Sequence, residues 1–216
     1  MLEKTIRKDI RDMYKCENHI LQFTTIKNNI FFTSDTHFNH ENIIKYCSRP
    51  YVDKNEMNED LIKRWNSVVK ENDIVFHLGD FMFGNVNRFW EFRSRLNGKI
   101  YLIHGNHDYE LMDKVNIEDA FELVTSQLNI VINGQKIYLN HFPLLTFDGT
   151  YKEKPTWQLF GHVHSNKEHP QNSADTKRLN FLMPNQYDVG VDNNNYTPIS
   201  FEEVNIIIEN QFLKSK

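Results

Sequence analysis

The sequence predicts a mixed α/β chain, bordering on α+β, with one domain behind an N-terminal extension. Short apolar runs alternate with amphipathic helical stripes between residues 29 and 103, a strand–helix–strand–helix–strand rhythm that implies a largely parallel sheet. An Asn-Gly turn then joins two further strand-like runs, the mark of an antiparallel hairpin. With 216 residues, 39% apolar and 25% charged, the chain is long enough to bury a core without a staple.

Residues 1–27 form the extension. Ile6, Ile10, Met13 and Tyr14 sit at helical spacing, and an extended stretch follows from His19 to Ile26. The domain, residues 28–216, opens on Asn29-Ile30-Phe31-Phe32-Thr33-Ser34-Asp35, a buried strand ending in a polar loop. Met57, Leu61, Trp65, Val68 and Val69 make the stripe of a helix over 56–70. Ile74 to Leu78 reads as a second strand, stopped by Gly79-Asp80. Phe89, Phe92 and Leu96 predict a helix over 87–97, closed by Gly98. Lys99 to Ile103 is a third strand.

The second half changes character. Asn129 to Ile132 and Ile137 to Leu139 pair about Asn133-Gly134. Trp157 to Phe160 and Asp188 to Val191 are further strand candidates, and residues 165–187, polar with two prolines, read as a long loop. Ser200 and Glu203 match a capping box that opens a last helix over 201–207.

Composition excludes several classes. No apolar run approaches the roughly 18 residues that span a bilayer. The first twenty residues are too charged for a signal-peptide core. Two cysteines, Cys16 and Cys47, make no disulfide framework, so a reducing cytoplasm is the expected compartment. A net charge of −4 argues against a general nucleic-acid coat, which needs a basic face to displace counterions.

The ten histidines carry the functional signal through their positions. Nearly every strand candidate ends in residues that bind metals: Asp35-Thr36-His37, Gly79-Asp80, Gly105-Asn106-His107-Asp108, Asn140-His141 and Gly161-His162-Val163-His164. Any one of these is most often an ordinary turn or a polar surface strand. In open α/β sheets, however, the carboxyl ends of the strands converge on the functional crevice. Imidazole, carboxylate and amide ligands suit divalent ions such as manganese, iron or zinc, and no cysteine joins them. The candidates exceed what one tetrahedral ion needs. Seven ligands with one bridging carboxylate fill two sites roughly 3.5–4 Å apart. Two divalent ions against Asp35, Asp80 and a bridging hydroxide leave a local positive charge that attracts phosphate.

These five blocks, in this order, resemble the calcineurin-like metallophosphoesterases, from about Asn29 to Val204. The phrase Asp35-Thr36-His37-Phe38-Asn39-His40-Glu41-Asn42-Ile43-Ile44, and Val189-Gly190-Val191-Asp192 with Tyr196 and Pro198, are similar to a small bacterial and phage branch of that family. The resemblance implies a four-layer α-β-β-α sandwich of two mixed β-sheets flanked by helices. It implies one metal on Asp35, His37, Asp80 and His164, and a second on Asp80, Asn106, His141 and His162, with Asp80 bridging. Manganese is the expected ion, with iron, zinc, nickel and cobalt also suited. A metal-bridging hydroxide would attack a phosphomonoester or phosphodiester in line. His107 would stabilise or protonate the leaving oxygen and Asp108 would orient it. Substrate phosphate is expected beside His40, Asn106 and His107. Many relatives carry a second Asp after the Gly-Asp block, where this chain has Phe81-Met82-Phe83-Gly84.

His77, inside an apolar strand, is expected to pack, His104 to support the Asn106 loop, and His19 and His169 to be surface residues. Residues 38–57, 81–88, 142–156 and 165–187 would wall the pocket, where Phe81, Phe83, Phe142, Phe147, Tyr151 and Phe181 can stack on a base. The expected partner is a small phosphorylated, nucleotide-like compound. Two alternatives stand beside it: a nuclease using Arg88, Arg93, Lys152, Lys154, Lys177 and Arg178 as a basic patch, and a scaffold without chemistry.

Overall fold

The computed structural model describes residues 20–25, 29–112, 117–150, 153–165 and 179–215. The helix expected near Ile6 to Tyr14, together with Cys16, His19 and His169, lies outside them. Among the described residues, ten strands form two mixed five-stranded sheets. The first orders β10 (Ile199–Ser200), β2 (Ile30–Thr33), β3 (Ile74–His77), β4 (Lys99–Ile103) and β5 (Leu123–Thr125), all parallel except β10. The second orders β1 (Leu21–Phe23), β6 (Gln127–Ile132), β7 (Gln135–Asn140), β8 (Trp157–Phe160) and β9 (Gln186–Asp188). There only β6 and β7 run antiparallel. The extended stretch expected from His19 to Ile26 thus contributes an edge strand.

Each element follows from its residues. Strands β2 and β3 are buried throughout because both faces are covered, which is why they read as unbroken apolar runs. Helices α1 (Glu41–Tyr46), α2 (Lys54–Val68) and α3 (Val86–Arg93) lie in the connections of the first sheet. Asp53 caps α2 by accepting the Asn55 and Glu56 N–H groups at 2.8 and 2.9 Å. Helix α3 ends earlier than its stripe predicts. Arg95 and Leu96 donate to Phe92 and Arg93, three residues back, and tighten the chain into a turn. Gly98, at φ 94°, serves the entry to β4 instead. Asn133 and Gly134 both have positive φ, 48° and 80°, as a two-residue hairpin turn requires.

A short helix α4 (Tyr109–Met112) follows β4, and α5 (Phe201–Lys214) closes the chain behind the expected capping box. The strand expected over Asp188 to Val191 is displaced. Strand β9 ends at Asp188, whose carboxylate accepts the Gly190 N–H at 2.8 Å and turns the chain into a 3-10 segment, Val191–Asn193.

Two cores hold these layers. Met57, Leu61, Trp65, Phe89 and Phe92 of α2 and α3 cover Phe31, Val75, Ile100 and Leu102 of the first sheet. Ile30, Phe32, Phe76 and Ile103 meet Ile130, Ile132, Ile137, Leu139 and Leu159 between the sheets. Helix α5 packs on β10, β2 and β9, and Phe201 stacks on Trp157 at 5.7 Å. The carboxyl ends of β2, β3 and β4, and of β7, β8 and β9, lie at one edge of the sandwich because each set is parallel.

Candidate metal centre

All seven candidate ligands stand just beyond these strand ends. Asp35 and His37 follow β2, Asp80 follows β3, Asn106 follows β4, His141 follows β7, and His162 and His164 follow β8. Ligand atoms of Asp35, His37 and His164 lie within 4.8 Å of one another, and so do those of Asp80, His141 and His162. The groups adjoin through Asp80: its Oδ2 is 3.5 Å from Nε2 of both His37 and His141. Asn106 Oδ1 lies 3.2 Å from His141 Nε2. The structure therefore brings these residues together in two adjoining groups, with Asp80 between them.

Backbone strain accompanies this convergence. Asp35, His37, Asp80, His162 and His164 all adopt positive φ, between 46° and 70°. Such a conformation costs an L-residue roughly 1–2 kcal/mol and is kept where its surroundings over-determine it. Main-chain bonds join the two loops beyond the strands: Asp35 donates to Gly79 at 2.9 Å and His37 to Asp80 at 3.0 Å. The close approach needs glycines. A Cβ on Gly161 would meet Ser34 and the Asp35 carboxylate, and one on Gly105 would meet the Asp80 carboxylate.

A second layer orients the ligands. His141 Nδ1 lies 2.6 Å from the Leu78 carbonyl and His164 Nδ1 lies 2.7 Å from Asp192 Oδ2. With each Nδ1–H donating, each Nε2 faces the carboxylates. Arg49 grips Asp192 and also donates to the carbonyls of Asp35 and Thr36, at 2.7 and 3.1 Å. Asp188 accepts from the Ser165 N–H and hydroxyl, which braces the loop carrying His164.

The donor set fits divalent cations. His37 is buried, and among the described residues neither ring nitrogen has a hydrogen-bond partner. Burial first, then the neighbouring His164, lowers its pKa well below the ordinary value, so it presents neutral nitrogen lone pairs. Burial works against charge on His141 too, but Asp80 and Asp35 outweigh it and raise that pKa to about 9. The carboxylates thus call for positive charge, which divalent ions would supply while displacing protons.

The other expected residues fall out unevenly. His107 is exposed at the rim, its ring 5.6 Å from His37 and 5.0 Å from Phe83, while its N–H donates to Asp80 Oδ1 at 2.9 Å. His40 stacks on Phe83 at 4.0 Å and lies 5.4 Å from His37. Asp108, expected to orient His107, does something else. Its fully buried carboxylate accepts the N–H groups of Gly105, Asp80 and Phe81 at 2.7, 2.8 and 2.9 Å, tying the β3 loop to the β4 loop. His77 packs as expected, between Thr36 and the Gly79 N–H. His104 meets Tyr109 edge-on at 4.9 Å.

Among the aromatic candidates, Phe81 belongs to the core and Phe147 stacks on Tyr138 at 6.1 Å. Phe142 and Phe181 are exposed. Among the described residues, the basic candidates Arg88, Arg93 and Lys154 engage separate partners. Arg88 pairs with Glu91, Arg93 serves the carbonyls of Ala120 and Leu96, and Lys154 reaches Gly134, at the end of β7 remote from His141. Tyr151, Lys152, Lys177 and Arg178 lie outside the described residues. Arg49 had no local signal, and Asp192 was legible only inside the Val-Gly-Val-Asp phrase.

Comparisons with known proteins agree with this geometry. A family model described as the calcineurin-like phosphoesterase superfamily domain matches residues 29–184. The chain is 38% identical over 188 residues to protein MJ1445 of Methanocaldococcus jannaschii, a span of 83% of this chain and 91% of that protein. It is 28% identical over 163 residues to the Gene 66 protein of Mycobacterium phage L5, covering 63% and 78% of the two chains. The crystal structure of the Aquifex aeolicus protein AQ665, of unknown function, superposes with a TM-score of 0.63 at 26% identity, over 84% of this chain and 100% of that one. Since the matched span takes in every candidate ligand from Asp35 to His164, the chain belongs to the calcineurin-like phosphoesterase superfamily.

Proposed function

We propose that the protein is a hydrolase of small phosphoesters that works with two divalent cations, manganese first among them. The observation that carries this is Asp80 Oδ2 standing at 3.5 Å from both His37 and His141, a carboxylate between two ligand groups. Asp35, His37, Asp80 and His164 would hold one ion, and Asp80, Asn106, His141 and His162 the other. When bound, such a pair supplies Lewis acidity toward phosphoryl oxygens and a nucleophile drawn from water.

The chain's own groups do the rest. His107 sits at the rim with its backbone fixed on Asp80, so its ring can deliver a proton to the departing oxygen. His40, held flat against Phe83, faces the same rim and offers a hydrogen bond to a phosphoryl oxygen. Asn106 contributes its amide beside His141. Small phosphorylated compounds with an organic group, nucleotides included, are the substrates this reading favours.

The test is turnover of p-nitrophenyl phosphate and bis-p-nitrophenyl phosphate with manganese, with and without chelator. Release of p-nitrophenol that chelator stops and manganese restores is expected. Absence of release from both esters over a series of divalent metals would overturn the reading.

A further inference from the structure

A cavity of about 430 Å³ adjoins the site on the side of His162. Its wall includes Phe142, Leu144, Leu145, His162, Phe181 and Leu182, and among the described residues no Asp, Glu, Lys or Arg lines it. Phe142 stands at the junction, its ring 4.6 Å from His162 and 4.9 Å from His141. Leu145 and Phe181, which line it, are 82% and 75% exposed.

The wall is built rather than loose. Gln158 and Gln186, buried beneath it, are bound to its main chain. Gln158 donates to the Phe142 carbonyl at 2.9 Å and accepts the Leu144 N–H at 3.1 Å, and Gln186 donates to the Leu144 carbonyl at 2.8 Å. These wall groups are therefore already satisfied from below. Beside the His162 ring, the described wall presents apolar side chains on a main chain held in a fixed position.

His107 flanks the opposite part of the centre, beside His37 and Phe83. A leaving oxygen served by His107 therefore departs away from the cavity. We propose that the cavity is the subsite for the ester arm that stays on phosphorus, and that this arm is apolar or aromatic. The substrate class is then a phosphodiester with one aryl-like arm. The inference rests on the phosphoesterase reading and sharpens it.

The experiment compares methyl p-nitrophenyl phosphate with phenyl p-nitrophenyl phosphate, which share a leaving group and differ only in the retained arm. The wild-type protein with manganese is expected to show a KM about tenfold lower for the phenyl ester, as burial of one ring face implies. Phe181→Ser and Leu145→Ser, at exposed positions that leave the cores intact, should bring the two KM values together. Equal KM values in the wild type, or a preference that survives both substitutions, would overturn the subsite. Calorimetry with phenylphosphonate and methylphosphonate on the same proteins separates this from the parent reading. If neither ester turns over, the hydrolase proposal falls, while the subsite stands or falls on whether phenylphosphonate binds about tenfold tighter than methylphosphonate.

Discussion

Arg49 and Asp192 form a closed fork, Nε to Oδ1 at 2.9 Å and Nη2 to Oδ2 at 2.8 Å, with neither side chain exposed to solvent. Burial alone would raise the Asp192 carboxyl, but Arg49 and His164 outweigh it and hold it below the usual range. The same carboxylate takes the His164 Nδ1–H, so one ion pair positions a candidate ligand and, through Arg49, the main chain of Asp35. Asp192→Asn leaves a buried guanidinium without its counter-charge. We expect a loss of about 3–5 kcal/mol in urea unfolding and a fall of roughly 10–100-fold in metal affinity. Arg49→Met with Asp192→Leu should regain stability without regaining affinity. Titration calorimetry with manganese on both variants decides it.

Asp80 and His107 should separate binding from rate. Asp80→Ala removes the carboxylate that faces both His37 and His141, so metal analysis should find no more than one tightly held ion per chain. His107→Ala should keep its metal content and lose about 10²–10⁴ in kcat, the usual worth of a positioned acid. Wild-type turnover in either variant would contradict these roles.

His77 predicts a pH dependence of stability. Burial lowers its pKa to about 3, and its ring is held between the Thr36 hydroxyl and the Gly79 N–H. The folded chain keeps it neutral while the unfolded chain protonates it near 6.5. Its contribution is thus fully present above about pH 6.5 and is lost as pH falls from there toward 3. Between pH 7 and pH 5 the loss is about 2 kcal/mol. Metal-free His77→Asn, whatever its stability at pH 7, should lose about 2 kcal/mol less than metal-free wild type over that interval, read from urea midpoints.

Gly161 predicts a steric limit. A methyl there would run into the Ser34 hydroxyl and the Asp35 carboxylate. Gly161→Ala should cost about 1–3 kcal/mol by overpacking and displace Asp35, weakening metal binding more than the fold. Circular dichroism melts beside manganese titration would show it; unchanged affinity would contradict the close approach.

Much of the site was legible because its local grammar is short. Asp35-x-His37 and His162-x-His164 are two-residue spacings at strand ends, and strand ends are marked by apolar runs that stop. Asp108 marks the limit of that grammar: adjacency to His107 suggests a partnership, whereas the buried carboxylate accepts three backbone N–H groups from two loops. Helix α3 was overextended because an apolar stripe continues through Leu96 even where hydrogen bonding has changed from four residues to three. Helix α5 runs past the predicted residue 207 to Lys214, with Ile208 and Phe212 continuing its core-facing positions.

By itself the sequence determined the alternation of strands and helices, the Asn-Gly hairpin, the capping box and the ligand types at each strand end. These depend on periodicity and on neighbours a few residues apart. Only the tertiary structure decided that Asp80 stands between two imidazoles, that Arg49 reaches Asp192 across 143 residues, and that Gln158 and Gln186 stiffen an apolar wall beside His162. Those partnerships arise from which strands lie side by side and from what burial does to an unpaired polar group, and no local pattern encodes either.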